Sequence, residues 1–332
     1  MRITIFSSTF LPNIGGLENI MSGLAESFTA MNNSVHVATN TEGEIETKYA
    51  IIRKPSLFQL FKIVQKSDIF VEANISLKTA LVGIFNRKKW VVIHHIPYLH
   101  QKSTSGSVKQ LLTHFSHNIC VSKYVQKTIP GKSVVIPNFY NPVFDDFSAS
   151  EKTEHTVFVG RLVSDKGVDF LLNAIASLIK EYPTIKLTII GDGPEKENLI
   201  ELCKKLSLNN HISFINSLDP ILLAKKIATF KWLVIPSLWE EPFGLVALEG
   251  LAAGCTVISS DGGGLPEALA NFGILFKRGE KNDLVAKLRL AYSTGMDQKS
   301  EKKELLKQHL AIHQQQLIAK KYINYFSAIL DS

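Results

Sequence analysis

The chain has 332 residues, 45% hydrophobic and 20% charged, with 20 Gly and 12 Pro; this globular composition excludes a disordered or fibrous protein. At roughly 150 residues per domain, the length accommodates two domains. Residues 1–150 hold 15 Lys and Arg against 9 Asp and Glu, and residues 151–332 hold 22 against 21, so nearly all of the net charge of +7 lies in the first half. That bias suits an anionic ligand or surface. No basic run interleaved with aromatics and no DNA-reading motif accompanies it, so nucleic acid is not an expected partner. Cys120, Cys203 and Cys255 are odd in number and far apart, which fits buried thiols in a reducing compartment rather than a disulfide framework or CxxC pair. No stretch approaches the ~18 uncharged apolar residues of a membrane span. A cytoplasmic protein is expected, with the inner face of the membrane as a further location.

Taken in chain order, short β-rich runs predict strands at 3–7, 35–39, 50–53, 69–72, 90–94, 118–121 and 134–137. Six more follow at 156–160, 186–191, 212–215, 232–236, 256–260 and 274–276. Between them the apolar period predicts helices such as 17–31, 167–181, 196–206 and 243–253. Alternating strands and helices, with strands apolar on both faces, predict an α/β protein of doubly wound parallel sheets. Pro137, Pro142, Asp145, Asp146 and the polar stretch 148–154 interrupt the alternation. A linker at 141–155 is therefore expected between a first domain, 1–140, and a second, 156–298. The tail, 299–332, is helical in period and is expected to pack back on the first domain.

In open α/β sheets, ligands bind beyond the carboxyl ends of the strands, and five such turns stand out. Gly15-Gly16 opens the first helix, where backbone amides can approach a phosphate; a tight turn that needs glycine explains it equally well. Gly160-Arg161-Leu162, with Lys166 following, offers a guanidinium fork and an ammonium as a clamp for a diphosphate. Gly191-Asp192-Gly193-Pro194 is accounted for by turn chemistry alone. In the segment from Pro236 to Gly250, Pro242 fits the first turn of a helix. Helical rise then separates Glu241 and Glu249 by about 12 Å, a span from the sugar to the ribose of one nucleotide sugar. Gly262-Gly263-Gly264 precedes Pro266-Glu267, and close backbone approach to an anion is the expectation there. Five histidines, His94, His95, His100, His114 and His117, cluster in the first half. Strand alternation allows at most one of His94 and His95 to face a ligand. The cluster lacks zinc-ligand spacing, so no metal is expected.

These motifs, in this order and spacing, resemble glycosyltransferase family 4, the retaining GT-B enzymes of glycosyltransferase group 1. The match is dense over 155–290 and thinner over 1–140, where the opening loop, His95 and Val121-Ser122-Lys123 are the anchors. The resemblance implies two Rossmann-like domains facing a cleft, the first binding acceptor and the second the nucleotide sugar. It implies diphosphate binding by Arg161 and Lys166, ribose binding by Glu249, and sugar binding by Glu241 with backbone amides near Phe243, Gly244 and Leu245. Gly191 joins that donor site, Gly15 and Gly16 approach the phosphates, and His95 lies near the transferred sugar. Three positions depart from the family pattern: Phe139 and Asn216 stand where glycine is usual, and Gly250 where alanine is. The base pocket and hinge are the features these departures touch.

The implied activity is transfer of a hexosyl group, without metal or other cofactor, from a UDP- or GDP-sugar to a glycan or lipid-linked glycan, in surface polysaccharide synthesis. Residues 54–66 and 77–90 are apolar helices edged with basic residues; core packing is the ordinary reading, and docking on an anionic membrane is the alternative. A GT-B epimerase and a non-catalytic nucleotide-sugar-binding subunit are the competing functions. A dinucleotide enzyme is disfavoured by the missing GxGxxG.

Overall fold

The structure, a computed structural model, describes residues 1–98, 104–148, 151–294 and 300–331. It divides into two compact units, Met1–Phe139 with Ile312–Ser332, and Tyr140–Ala311.

In the first unit, strands β1 (Arg2–Ser7), β2 (Ser34–Thr39), β3 (Ala50–Arg53), β4 (Ile69–Ala73), β5 (Trp90–His94), β6 (His117–Cys120) and β7 (Ser133–Val135) form one parallel sheet. Their order is β3-β2-β1-β4-β5-β6-β7. Helices α1 (Gly16–Ala30), α2 (Leu57–Gln65), α3 (Ala80–Phe85), α4 (Thr104–Leu112) and α5 (Lys123–Gln126) connect the strands. Strand order reverses at β1, so right-handed crossovers place α1 on one face of the sheet and α2, α3 and α4 on the other. Strands β4 and β5 are buried along their whole length, including Glu72 and His94, as strands between two helical layers must be.

The second unit has the parallel order β10-β9-β8-β11-β12-β13. Its strands are β8 (Thr153–Val159), β9 (Leu187–Ile190), β10 (Ile212–Ile215), β11 (Phe230–Ile235), β12 (Thr256–Ser260) and β13 (Ile274–Phe276). Helices α6 (Val168–Leu178), α7 (Lys196–Lys205), α8 (Pro220–Ile227), α9 (Leu245–Ala252), α10 (Leu265–Leu269), α11 (Lys281–Thr294) and α12 (Ser300–Ala311) complete it. Phe158, Leu171, Ile175, Ile189, Val234 and Phe276 are central to its core. The predicted α/β architecture of two doubly wound parallel sheets is the observed one, and each predicted strand overlaps an observed strand.

Boundaries differ from expectation in three places, each with a local cause. The segment expected as a linker, 141–155, largely joins the second unit. The turn Pro142–Phe147 packs on α8 and α9, and Lys152 Nζ donates to the carbonyls of Ala228 and Ala253 at 2.8 and 2.6 Å. The tail expected on the first domain is shared. His309 Nε2 lies 2.8 Å from Ala268 O and binds α12 to the second unit, whereas α13 (Gln315–Leu330) packs on α1 through Phe28, Tyr322 and Phe326. Gln315 Nε2 secures its start by donating to Gly23 O and Ser27 Oγ. Third, α9 begins at Leu245 and not near Pro242, because Gly244 is left-handed (φ 108°) and ends the helix on that side. Cys120, Cys203 and Cys255 are free and buried, as expected.

Candidate active site

In the second unit the strand order reverses at β8, so the loops after β8 and β11 flank a topological switch point. Gly160 and Arg161 follow β8; Ser237 to Gly244 follow β11. Gly167, left-handed at φ 67°, begins α6 and turns the preceding Lys166 back toward the β11 loop. A Cβ on Gly167 would lie 2.2 Å from Pro236 O, so only glycine permits this approach. The β11 loop is fixed from the same side by Leu238 N and Trp239 N, which donate to Asp165 O at 2.9 and 3.1 Å.

The result is an ion pair: Lys166 Nζ lies 2.5 Å from Glu241 Oε1. Ser237 Oγ donates to the same oxygen at 2.6 Å. Glu241 Oε2 is left for another donor. Arg161 is exposed and pairs with no acid among the described residues. On α9, Glu249 is half-buried and its carboxyl has no hydrogen-bond partner among the described residues. Burial pushes its pKa up to about 7. Together these groups offer two cations, one anchored carboxylate and one unanchored carboxyl, a set suited to a diphosphate with hydroxyl groups on either side.

The glycines of the triple-glycine turn have a role in packing. A Cβ on Gly263 would meet Glu241 O at 2.2 Å, and one on Gly264 would meet Pro242 O at 2.5 Å. Gly264 N donates to Glu241 O at 2.7 Å. The close approach that these glycines permit is to the backbone that carries Glu241. Gly191 behaves alike: it would place a Cβ 1.9 Å from Gly160 O, locking the β9 turn against the turn that carries Arg161. Helical rise does not set the Glu241 to Glu249 separation, since Glu241, Pro242 and Phe243 precede α9.

Two further residues support this loop. Ser237 holds Glu241, as above. Arg278, just beyond β13, donates to Leu238 O at 3.3 Å and to Glu240 Oε1 at 3.2 Å. Arg278 met the strand-end criterion in the sequence and is followed by Gly279, but a lone glycine after a strand is accounted for by turn geometry and did not single it out.

In the first unit, Gly15 precedes α1 with extended backbone (φ −174°) and Gly16 is its first residue. His94 and His95 have separate fates. His94 is fully buried: Nδ1 accepts from Tyr98 Oη at 3.2 Å, and Nε2 donates to Asn118 Oδ1 at 2.8 Å. Asn118 spends its amide on three carbonyls, which leaves its oxygen as the acceptor and fixes the histidine tautomer. His95 is held only by its backbone, N to Asn74 Oδ1 at 2.7 Å, and its Nε2 is buried without a partner. Burial, with His94 adjacent, pulls its pKa down to about 3, so the ring is neutral at neutral pH. His100 lies outside the described residues. Among the described residues, no group of three or more His, Cys, Asp or Glu is placed to hold a metal ion.

The family model described as glycosyl transferases group 1 matches residues 142–309. The chain belongs to the group 1 glycosyltransferases. Among relatives of this glycosyltransferase, the gpi3 subunit of phosphatidylinositol N-acetylglucosaminyltransferase from Schizosaccharomyces pombe is 24% identical, over 88% of this chain and 73% of that protein. The alpha-monoglucosyldiacylglycerol synthase of Streptococcus pneumoniae is 24% identical, over 78% of this chain and 71% of its own length. Among solved structures, Anabaena HepE in complex with UDP and glucose superposes with a TM-score of 0.81 at 17% identity, covering 99% of this chain and 100% of that one. Sucrose-phosphate synthase from Thermosynechococcus elongatus gives 0.81 at 20% identity, over 99% of each chain. The fold is GT-B, as the motif resemblance implied.

Proposed function

We propose that this glycosyltransferase moves a hexosyl group, with retention of configuration and without a metal ion, from a UDP- or GDP-sugar to a hydroxyl of a glycan or lipid-linked glycan. The observation that carries the reading is the Lys166–Glu241 pair, joining the loops after β8 and β11 at the switch point of the second sheet, with Arg161 in the first of those loops. HepE, a structural neighbour, has been solved with UDP and glucose, and two relatives are named for glycolipid products; both facts favour this donor and acceptor class. The second unit would bind donor. The first unit would bind acceptor, with Gly15, Gly16 and His95 as its reactive-site residues.

In this mechanism the bond from the anomeric carbon to the diphosphate oxygen breaks while the acceptor oxygen bonds on the same face. The departing phosphate takes the acceptor proton. Catalysis is then mostly charge stabilisation and positioning. Arg161 and Lys166 neutralise charge building on the diphosphate, replacing a divalent ion. Glu241, its Oε1 anchored, presents Oε2 to sugar hydroxyls, while Glu249 accepts from the ribose. Backbone amides at Phe243, Gly244 and Leu245 face the same ligand with the positive end of α9. Gly191 keeps the β9 turn tight against Arg161.

Thermal-shift titration with UDP, GDP, ADP and their sugars, each with and without EDTA, tests the donor. Stabilisation by one nucleotide family, indifferent to EDTA and lost in Arg161→Ala, is the expected result. Stabilisation by none of them defeats the proposal. Product NMR reads the anomeric configuration, and conversion of donor with no acceptor present would indicate an epimerase.

A further inference from the structure

Two adjoining helices of the first unit present an apolar face that the fold does not cover. Ser56 starts α2 with a capping box: its hydroxyl accepts from Gln59 N while Gln59 Oε1 accepts from Ser56 N. The helix then buries Leu60 and Val64, four residues apart, against the sheet. Helical geometry turns the row of Phe58 and Lys62 the opposite way. In α3, Gly83 permits close contact with the Trp90 ring, which a Cβ would approach to 2.3 Å. Ala80 and Val82 are buried beside it. Leu81 and Phe85 consequently point outward.

The exposure is large for apolar side chains: Leu57 50%, Phe58 66%, Leu81 60% and Phe85 73%. Phe61 and Phe85 meet edge to face, with ring centroids 6.4 Å apart, so the two helices form one continuous surface. Scattered exposed leucines need no explanation, but a contiguous patch with two outward phenylalanines does. Its surroundings are cationic. Lys62 Nζ sits 4.3 Å above the Phe58 ring. Lys66, Lys78 and Arg87 are exposed and pair with no acid among the described residues. The two acids within 55–90 are both withdrawn: Glu72 is fully buried, and Asp68 is paired with Arg2.

We infer that the outer face of α2 and α3 docks on an anionic lipid surface, inserting Phe58, Leu81 and Phe85 among acyl chains while the surrounding cations meet lipid headgroups. A protein partner or second copy would cover the apolar residues equally well, but the excess of exposed cations on and next to these two helices favours a surface of diffuse negative charge. No helix among the described residues is long and apolar enough to cross a membrane, so the contact is peripheral. It does not depend on the donor chemistry proposed above.

The test is cosedimentation of the full chain with phosphatidylglycerol and phosphatidylcholine vesicles. Binding to the anionic vesicles that weakens with salt is expected, with little binding to the zwitterionic ones. The double substitution Phe58→Ser and Phe85→Ser should lower the partition coefficient about tenfold or more, and Lys62→Gln about fivefold. Thermal shifts with nucleotide should be unchanged in these variants, which separates loss of docking from misfolding and from failure of the donor assignment. Absence of binding to phosphatidylglycerol at low salt, or binding undiminished by the double substitution, overturns the inference. So does light scattering that shows a lipid-free dimer dissolved by the same substitutions, which would give the face to a second copy.

Discussion

Lys166 and Glu241, 75 residues apart in sequence, meet at 2.5 Å, and Ser237 completes the anchoring of the shared carboxylate oxygen at 2.6 Å. A carboxylate held from one side keeps its other oxygen oriented before any ligand arrives, which is the preorganisation that transfer chemistry requires. Glu241→Gln keeps the shape but removes the charge that orients Lys166. Its kcat should fall by about 10²–10³-fold, with the melting temperature little changed. Ser237→Ala should lose less in kcat, about tenfold, by loosening the same oxygen. Steady-state kinetics with the donor identified by thermal shift provides the check. Equal turnover in Glu241→Gln and the parent protein would remove Glu241 from the site.

Glu249 supplies a pH dependence. Burial raises its carboxyl from the ordinary 4.5 to about 7, so the folded protein holds a proton there that the unfolded chain has released. Between those values the native state binds more protons, and this group's contribution to stability falls as pH rises from about 4.5 to about 7. Ligand binding should run the opposite way. An ionised Glu249 accepts ribose hydroxyl hydrogens better than a neutral one, so nucleotide affinity should rise as pH increases through about 7. In Glu249→Gln both trends should flatten. Calorimetric titration from pH 5.5 to 8.5 measures the affinity; a slope that persists unchanged in Glu249→Gln assigns it elsewhere.

The two adjacent histidines predict opposite phenotypes. His94 joins Tyr98 and Asn118 inside the sheet layer; His94→Ala takes the acceptor from the buried Tyr98 hydroxyl proton and one donor from Asn118 Oδ1, and opens a cavity. A loss of about 2–4 kcal/mol in unfolding free energy is expected. His95 Nε2 has no partner to lose, so His95→Ala should unfold within about 1 kcal/mol of the parent yet transfer sugar poorly. Urea denaturation alongside turnover distinguishes the two. A stable His94→Ala, or a fully active His95→Ala, contradicts the assignment.

Strands were legible because parallel strands between two helical layers must be apolar on both faces, and runs such as Trp90-Val91-Val92-Ile93 have few other uses. The ends of those strands named Arg161, Lys166 and Glu241, since α/β topology puts ligands there. Packing between distant loops was not legible. Nothing local in Gly262-Gly263-Gly264 says that the chain at 240–243 lies against it, so this backbone contact had no signal in the sequence. The same holds for the tail, whose division between two units depends on His309 reaching Ala268 and Gln315 reaching Gly23, contacts without a periodic signature. The start of α9 was missed because Pro242 imitates a helix opening while Gly244, two residues later, sets it.

Those glycines yield the last prediction. Gly263 is left-handed at φ 65° and lies where a Cβ would collide with Glu241 O; Gly279 is left-handed at φ 77°, but a Cβ there meets nothing within 4 Å. Gly279→Ala should therefore cost only the backbone strain of an L-residue in that region, about 1–2 kcal/mol. Gly263→Ala adds a clash with immovable backbone and should cost about 3 kcal/mol or more, displacing Glu241 as it does so. The damage should include the anchored carboxylate: Gly263→Ala is expected to lose transfer activity even at temperatures where it remains folded, whereas Gly279→Ala keeps it. Paired melting and activity measurements decide the matter. Equal melting temperatures and equal activities in the two variants would mean that the Gly263 turn can move away from the Glu241 backbone without consequence.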